Sequence, residues 1–498
     1  MGIFSGRRAP AAPAAPAVPS AEETAVPSTD AAAAGAPGPR VNETVGRLRD
    51  SADSRLAHPR RFRAAQLRAL ERLLEEHAQD VLDALAADLG KPEVEARLSE
   101  LDLVRAEIDH AQLHLTEWME ARHVRVPVAF QPASAKVEAQ PLGLVLIIGP
   151  WNYPVQLVLS PLVAALAAGN CAVLKPSEAA PASSALLARL VPQYLDARAV
   201  AVVEGGAETS QALLAQRWDH IFYTGGDRVG RIVAEAAARQ LTPVTLELGG
   251  KSPAVVVDGS YAAIARRLAY GKFLNAGQTC VAPDYVLAVG PAAAELEKHL
   301  PRAINAFYGK DPAKSRDYGR IVNRGHFDRL AGFLDAAAQG PGTLVSGGGR
   351  DAEALYIEPT VLAGVDVESP LMREEIFGPI LPIIRVESFD AAVRFVNARP
   401  APLAAYLFSE KPRLQSVFED RVRAGGIGHN VCNAHLAVPG LPFGGVGPSG
   451  MGNYHGKYGF ETFSQLRPVL SKTAMLDTLK AVYPPYGWAK TKVLRKLM

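Results

Sequence analysis

One thiol stands in a segment that could do chemistry: Phe273-Leu274-Asn275-Ala276-Gly277-Gln278-Thr279-Cys280-Val281-Ala282-Pro283. Cys280 follows an apolar pair inside a tight, polar, Gly-containing stretch. A lone Cys is most often a small buried hydrophobe, and two other stretches give this one a second meaning. In Val244-Thr245-Leu246-Glu247-Leu248-Gly249-Gly250-Lys251 a carboxylate sits where an apolar strand runs into a Gly-Gly turn. In Ile148-Gly149-Pro150-Trp151-Asn152-Tyr153-Pro154 a carboxamide sits at a strand-to-helix corner. A thiol to attack a carbonyl, an amide to hold an oxyanion and a carboxylate to activate water form a complete set for acyl chemistry. Cys280 acts only as thiolate, so its surroundings must favour ionisation. Glu247, ending an apolar strand, is expected to have a raised pKa suited to a general base. The bland alternative for Glu247 is a partner for Lys251 or a capping carboxylate.

The elements that must position these groups follow from periodicity. Residues 41 to 123 read as helices, with one apolar stripe through Phe62, Leu67, Leu70, Leu73 and Leu74 and a stop at Gly90 and Pro92. A second stripe runs through Leu98, Leu101, Val104 and Ile108. Residues 124 to 142 read as a β-ribbon. Strands and helices then alternate: strand 143–148, helix 155–168, strand 171–175, helix 183–195, strands 200–203 and 220–224, helix 228–240. That alternation predicts an α/β fold with a parallel, doubly wound sheet, which binds ligands beyond the carboxyl ends of its strands. Tyr223-Thr224-Gly225-Gly226-Asp227-Arg228-Val229-Gly230 is a Gly-rich strand-to-helix turn. Gly225 and Gly230 permit close backbone approach, and the helix N-terminus favours a pyrophosphate. Lys175 ends a strand, where its ammonium reaches toward ribose hydroxyls, and Glu178 can accept from them; a solvated strand end is the bland reading of Lys175.

The totals exclude several classes. At 498 residues the chain needs two or three domains. It is 48% hydrophobic and 21% charged with a net charge of +2, which gives no nucleic-acid footprint. Its three Cys form no C-x-x-C pair, which argues against a disulfide framework or zinc site and suits a reducing, cytoplasmic setting. Cys171 lies in an apolar strand and reads as core. His429, Cys432 and His435 fall three apart, but no further ligands accompany them, so a packed loop is the reading and no metal is expected. Residues 1 to 40 are Ala/Pro-rich and read as a flexible tail. Its Arg7-Arg8 lacks a following apolar h-region, and Gly2 lacks the Ser or Thr of a myristoylation signal. No apolar run reaches the ~20 residues of a membrane span.

Taken together, the Cys280, Glu247 and Asn152 stretches, Lys175-Pro176-Ser177-Glu178 and Arg373-Glu374-Glu375-Ile376-Phe377-Gly378-Pro379 resemble the aldehyde dehydrogenase superfamily. Leu441-Pro442-Phe443-Gly444-Gly445-Val446-Gly447 and Tyr454-His455-Gly456-Lys457 make the resemblance strongest to class 3, over residues 45 to 485. The resemblance implies a Rossmann-like cofactor domain, an α/β catalytic domain and a small β oligomerisation arm that builds a homodimer. It divides the chain into a tail (1–40), an NAD(P)-binding domain (41–246, with 124–142 in the bridging arm), a catalytic domain (247–440) and a return to the cofactor domain and arm (441–498). It implies Cys280 as nucleophile, Asn152 with the Cys280 N–H as oxyanion donors, and Glu247 as the base that hydrolyses a thioester. Lys175 and Glu178 would hold the adenosine ribose, Gly225 and Gly230 would lie beside the pyrophosphate, Glu375 would bind the nicotinamide ribose and Phe377 would pack on the nicotinamide. NAD or NADP is the implied cofactor, and a medium- or long-chain aliphatic, or aromatic, aldehyde the implied substrate. Gly226-Asp227-Arg228 and the stretch 428–440 depart from the class pattern, which leaves cofactor preference and substrate identity open. The alternatives are a catalytically idle scaffold of the same fold, an enzyme that passes the acyl group to coenzyme A, and an esterase. Enzymes that acylate coenzyme A characteristically lack the Glu that stands here at 247. The basic segment from Trp488 to Met498 admits weak peripheral membrane contact, with a solvated helix the preferred reading.

Overall fold

The computed structural model describes residues 37–488 and 490–491. The readings of residues 1–36, and of the last seven residues, lie outside the described residues. The first helix is Pro37–Asp53, so helix begins inside the span read as tail. Helix Arg60–Glu76 buries Leu67, Leu70, Leu73 and Leu74 as its periodicity requires, with Phe62 half-buried. The next helix, Ala78–Leu89, ends at Gly90 in the left-handed conformation that glycine adopts without a Cβ penalty.

The second expected stripe fails at one position. Helix Glu93–Ala96 passes into a π-turn, Arg97–Leu101, before the helix Asp102–Met119. A π-turn adds a residue to the helical ladder and rotates the helix downstream of it. Leu98 is therefore 54% exposed while Glu100 points into the interior, the reverse of the hydropathy pattern.

Two twisted sheets carry the rest. The first orders its strands Gly450–Met451, Val244–Glu247, His220–Thr224, Leu144–Ile148, Cys171–Lys175 and Val200–Val202; all pair in parallel except the first, which runs antiparallel to the Glu247 strand. The chain leaves Leu144–Ile148 toward one side of the sheet and returns on the other at His220–Thr224. The switch point thus falls between the corner bearing Asn152 and the turn bearing Gly225. Helix Gln156–Ala168, which comes after that corner, is buried along its whole length and is closed by Gly169, also left-handed. A short helix, Ala207–Leu214, is not evident in the hydropathy pattern.

The second sheet has the order Thr343–Ser346, Thr360–Ala363, Ile380–Val386, Tyr285–Val289, Pro253–Val256, Ala404–Phe408, Gly426–His429, parallel but for its first pair. A third, antiparallel sheet joins Arg122–Val124, Ala133–Pro141 and Ser464–Lys472. Its outer strand pairs over nine residues, from Ser464 opposite Pro141 to Lys472 opposite Ala133, and joins segments more than three hundred positions apart. Among the described residues no helix is long and apolar enough to cross a membrane.

Candidate active site

Glu247 closes the carboxyl end of a strand in the first sheet, whereas Cys280 lies just ahead of Tyr285–Val289, at the amino end of a strand in the second. The thiol and the carboxylate nonetheless face one cavity of about 560 Å³, lined by residues that flank both sheets. Much of its wall is apolar or aromatic, including Leu157, Phe307, Leu403, Leu436 and Phe443, with Tyr270 and Arg266 from one exposed helix face and Glu95, Gln156 and Asn433 among its polar members. Val431 to Ala437 contribute a wall, so the divergent stretch does border the cavity. Cys432, read as part of a packed loop, is buried and faces the same space as Cys280. Cys171 is buried in its strand. Among the described residues no group of three His, Cys, Asp or Glu is placed to hold a metal.

The loop that presents the thiol is unusual. Helix Tyr261–Phe273 ends, and Asn275 (φ 52°) and Ala276 (φ 50°) are both left-handed before Gly277 (φ 76°). Non-glycine residues there cost on the order of 1–3 kcal/mol each and persist only where surroundings over-determine them. The surroundings do so. Asn275 Nδ2 donates to the carbonyls of Asn152 (2.9 Å) and Gln278 (3.2 Å), and Asn275 N–H donates to Glu95 Oε1 (2.8 Å). Fully buried Gln278 donates through Nε2 to the carbonyls of Asn275 and Arg320 and accepts from Val322 N–H. At Gly277 a Cβ would strike the Gly378 carbonyl, so the thiol loop and the Phe377 loop touch backbone to backbone.

Asn152 is buried, and its Nδ2 donates to the Gln278 carbonyl at 3.0 Å. An amide nitrogen carries two protons, so one is left for an oxyanion. Tyr153 O–H and Thr279 Oγ1 lie 2.6 Å apart and tie the same two loops together. The Cys280 and Val281 backbone N–H groups face the sulfur. Burial, with the carboxyls of Glu375 and Glu247 adding to it, pushes the thiol up to about 12, so in the free protein the surroundings disfavour the thiolate, contrary to the expectation from the sequence. Burial alone drives the Glu247 carboxyl well above its usual range, and neither of its oxygens has a hydrogen-bond partner. Lys251 does not neutralise it: its Nζ bonds Asp284 (2.5 Å) and the carbonyls of Leu371 (2.9 Å) and Glu374 (2.7 Å). The capping-partner reading of Glu247 therefore fails.

Those Lys251 bonds fix the loop carrying Glu375 and Phe377. Asp284 also accepts from Ile376 N–H at 3.1 Å, and the Arg329 guanidinium donates to the carbonyls of Glu375 (3.2 Å) and Ile376 (2.8 Å). Phe377 is left-handed (φ 47°) and meets Trp151 edge-on at 5.4 Å. Gly249 lies so close to the Glu375 carboxyl that a Cβ would collide with it. Burial raises Glu375 to about 8, with Asp284 adding to the shift.

The residues expected to hold a dinucleotide's adenosine ribose and pyrophosphate lie at the carboxyl ends of the first sheet's strands. Lys175 is buried with its ammonium on Glu178 Oε2 (2.7 Å) and the Pro176 carbonyl (3.1 Å), and Glu178 itself is more than half exposed. Gly226 caps helix Asp227–Gln240 with no side-chain acceptor and open space about its α-carbon, leaving first-turn N–H groups for a diphosphate. Gly225 and Gly230 play a packing part: a Cβ on the first would meet the Tyr223 hydroxyl and on the second Leu248. Sequence reasoning missed Gln278, Asn275, Lys91, Glu95 and Glu100. No local signal marked the last three, because residues 91–100 carry five charged side chains that read as a solvated segment.

A model of the aldehyde dehydrogenase family matches residues 31–469. Mouse "aldehyde dehydrogenase family 3 member B2" is 46% identical over 89% of this chain and 92% of its own length. Rat "aldehyde dehydrogenase, dimeric NADP-preferring" is 44% identical over 89% and 98%. Among solved structures, a substrate-bound AldH from Staphylococcus aureus superimposes with a TM-score of 0.89 at 40% identity, covering 92% of this chain and 99% of that one. With the fold, these likenesses establish that the chain belongs to the aldehyde dehydrogenase family, in its class 3 branch, as an NAD(P)-dependent oxidoreductase converting aldehydes to acids.

Proposed function

We propose that the chain oxidises medium- or long-chain aliphatic, or aromatic, aldehydes by covalent catalysis at Cys280. The observation that carries this reading is the largely apolar cavity faced by both Cys280 and Glu247. An apolar tail or ring is desolvated there, worth roughly 25 cal/mol per Å² buried, and the carbonyl is left beside the sulfur.

Once Cys280 has given its proton to solvent water, the thiolate adds to the carbonyl carbon and the oxygen becomes an oxyanion. Asn152 Nδ2 and the Cys280 N–H hold that charge, each donor worth roughly 3–4 kcal/mol in acyl-transfer enzymes. A nicotinamide held by Glu375 and Phe377 would supply the hydride acceptor that turns the thiohemiacetal on Cys280 into a thioester. Glu247, ionised for this step against the burial that raises its pKa, takes a proton from water; the hydroxide adds to the thioester carbon, the Cys280 thiolate leaves, and Glu247 returns its proton to solvent as the acid is released. Glu247 in this role favours hydrolysis over transfer to coenzyme A.

Lys175 and Glu178 are assigned to the adenosine ribose, Gly225 and Gly230 to the turn at the pyrophosphate, Glu375 to the nicotinamide ribose and Phe377 to the nicotinamide face. The cofactor-binding part is assigned to 41–246, with 124–142 in the arm, the catalytic part to 247–440, and 441–498 to the return. A homodimer built on the three-stranded sheet is supported by exposed Leu466 and Leu470 on its outer strand and by the dimeric name of the rat relative. In parallel assays with NAD and NADP, a long-chain and an aromatic aldehyde should each give reduced cofactor, and Cys280→Ser none. A silent wild type that binds cofactor would overturn the reading in favour of an idle scaffold; turnover only with coenzyme A would overturn the role of Glu247.

A further inference from the structure

The charged groups of residues 91–100 reach both halves of the oxyanion site without touching the cavity's reacting atoms. Lys91 and Glu100 are fully buried and paired at 2.5 Å. Lys91 Nζ also donates to the Asn152 carbonyl (3.1 Å), and the ammonium sits 4.2 Å from the centre of the Tyr153 ring. Glu100 Oε2 accepts the N–H groups of Val155 (3.1 Å) and Gln156 (2.8 Å), at the start of the helix just beyond Asn152. Five residues back, Glu95 accepts the N–H of Asn275, the left-handed residue that begins the thiol loop. Asn275 in turn donates to the same Asn152 carbonyl that Lys91 holds.

A buried ion pair is seldom a net source of stability against apolar groups of the same volume. This one fixes direction. With Lys91 and Asn275 both on its carbonyl, the Asn152 peptide cannot rotate without losing two hydrogen bonds, and the side-chain amide keeps its aim. The π-turn Arg97–Leu101 makes this possible, because it swings Glu100 inward from a helix whose pattern would place it outside.

We infer that Lys91, Glu95 and Glu100 are positioning residues, a buried clamp that sets Asn152 against the Cys280 loop and so fixes the oxyanion geometry. The inference rests on the role proposed for Asn152 under the functional reading. A misplacement of about 1 Å at such a site costs on the order of a hundredfold, so a partial loosening should cost about tenfold.

The experiment is a double-mutant cycle on the full chain, with benzaldehyde as substrate and saturating cofactor. Lys91→Met should lower kcat about tenfold and leave the cofactor KM within twofold. In an Asn152→Ala background the same change should cost less than twofold, because the group it aims is gone. An equal loss in both backgrounds refutes the clamp alone, whereas an Asn152→Ala enzyme with unchanged kcat refutes the oxyanion assignment and the clamp with it. Should Lys91→Met fail to fold, the Glu95 pair decides. Glu95→Gln keeps an acceptor for the Asn275 N–H and should hold kcat within about twofold; Glu95→Ala, which has none, should lose about tenfold. Equal kcat for those two variants overturns the proposal.

Discussion

Replacing Glu247 by Gln separates the two halves of the proposed reaction and tests the environment of the carboxyl as well. The side chain changes by one atom, and because neither Glu247 oxygen has a partner, no hydrogen bond within the protein is lost. Loss of a general base costs typically about 10²–10⁴ in rate. Steady-state turnover should therefore fall by that factor, while a rapid first burst of about one reduced cofactor per site survives, because hydride leaves before water is needed. Stability gives a second readout. The folded pKa of Glu247 is raised, so its contribution is complete below the unfolded value near 4.5 and is lost as pH rises toward the folded value. While the folded carboxyl stays neutral and the unfolded one ionises, that loss runs at about 1.4 kcal/mol per pH unit. A neutral amide carries no such penalty. Glu247→Gln should match the wild type near pH 4.5 and exceed it increasingly toward pH 7, by denaturant titration read alongside stopped-flow absorbance. Loss of the burst, or undiminished turnover, would refute the assigned step. A stability gap that does not change with pH would refute the raised pKa.

Two further outcomes are expected at the site. With its thiol held near 12, free enzyme should alkylate at Cys280 with iodoacetamide at a rate rising about tenfold per pH unit from 7 to 9, mapped by peptide mass spectrometry; a plateau below pH 8 would place the pKa elsewhere. Gly249→Ala drives a methyl against the Glu375 carboxyl and should raise the cofactor KM at least tenfold with little change in melting temperature. An unchanged KM would remove Glu375 from cofactor binding.

The candidate site residues were legible because each lies at a break in a regular pattern. Glu247 interrupts an apolar strand just before Gly249-Gly250, Asn152 sits at a strand-to-helix corner, and Lys175 ends a strand whose other residues are buried. Strand and helix alternation gave the parallel sheet, and strands 171–175 and 220–224 fall where their apolar runs lie. Periodicity, however, assumes an unbroken helical ladder. At Arg97–Leu101 the π-turn adds a residue, exposing Leu98 and burying Glu100, and nothing in the local pattern foretells it.

What the sequence by itself determined is the set of candidate reacting groups and most of the elements bearing them, because local propensity and hydropathy act over a few residues. The tertiary structure alone decided which strand ends share a cavity. It brings Glu247, at the carboxyl end of a strand in one sheet, and Cys280, ahead of the amino end of a strand in another, to the same cavity. It alone joins Glu95 to Asn275 across 180 positions and Asn152 to Gln278 across 126. It also raises the thiol and the carboxyl together, because burial is set by the groups that pack around a side chain rather than by its neighbours in the chain.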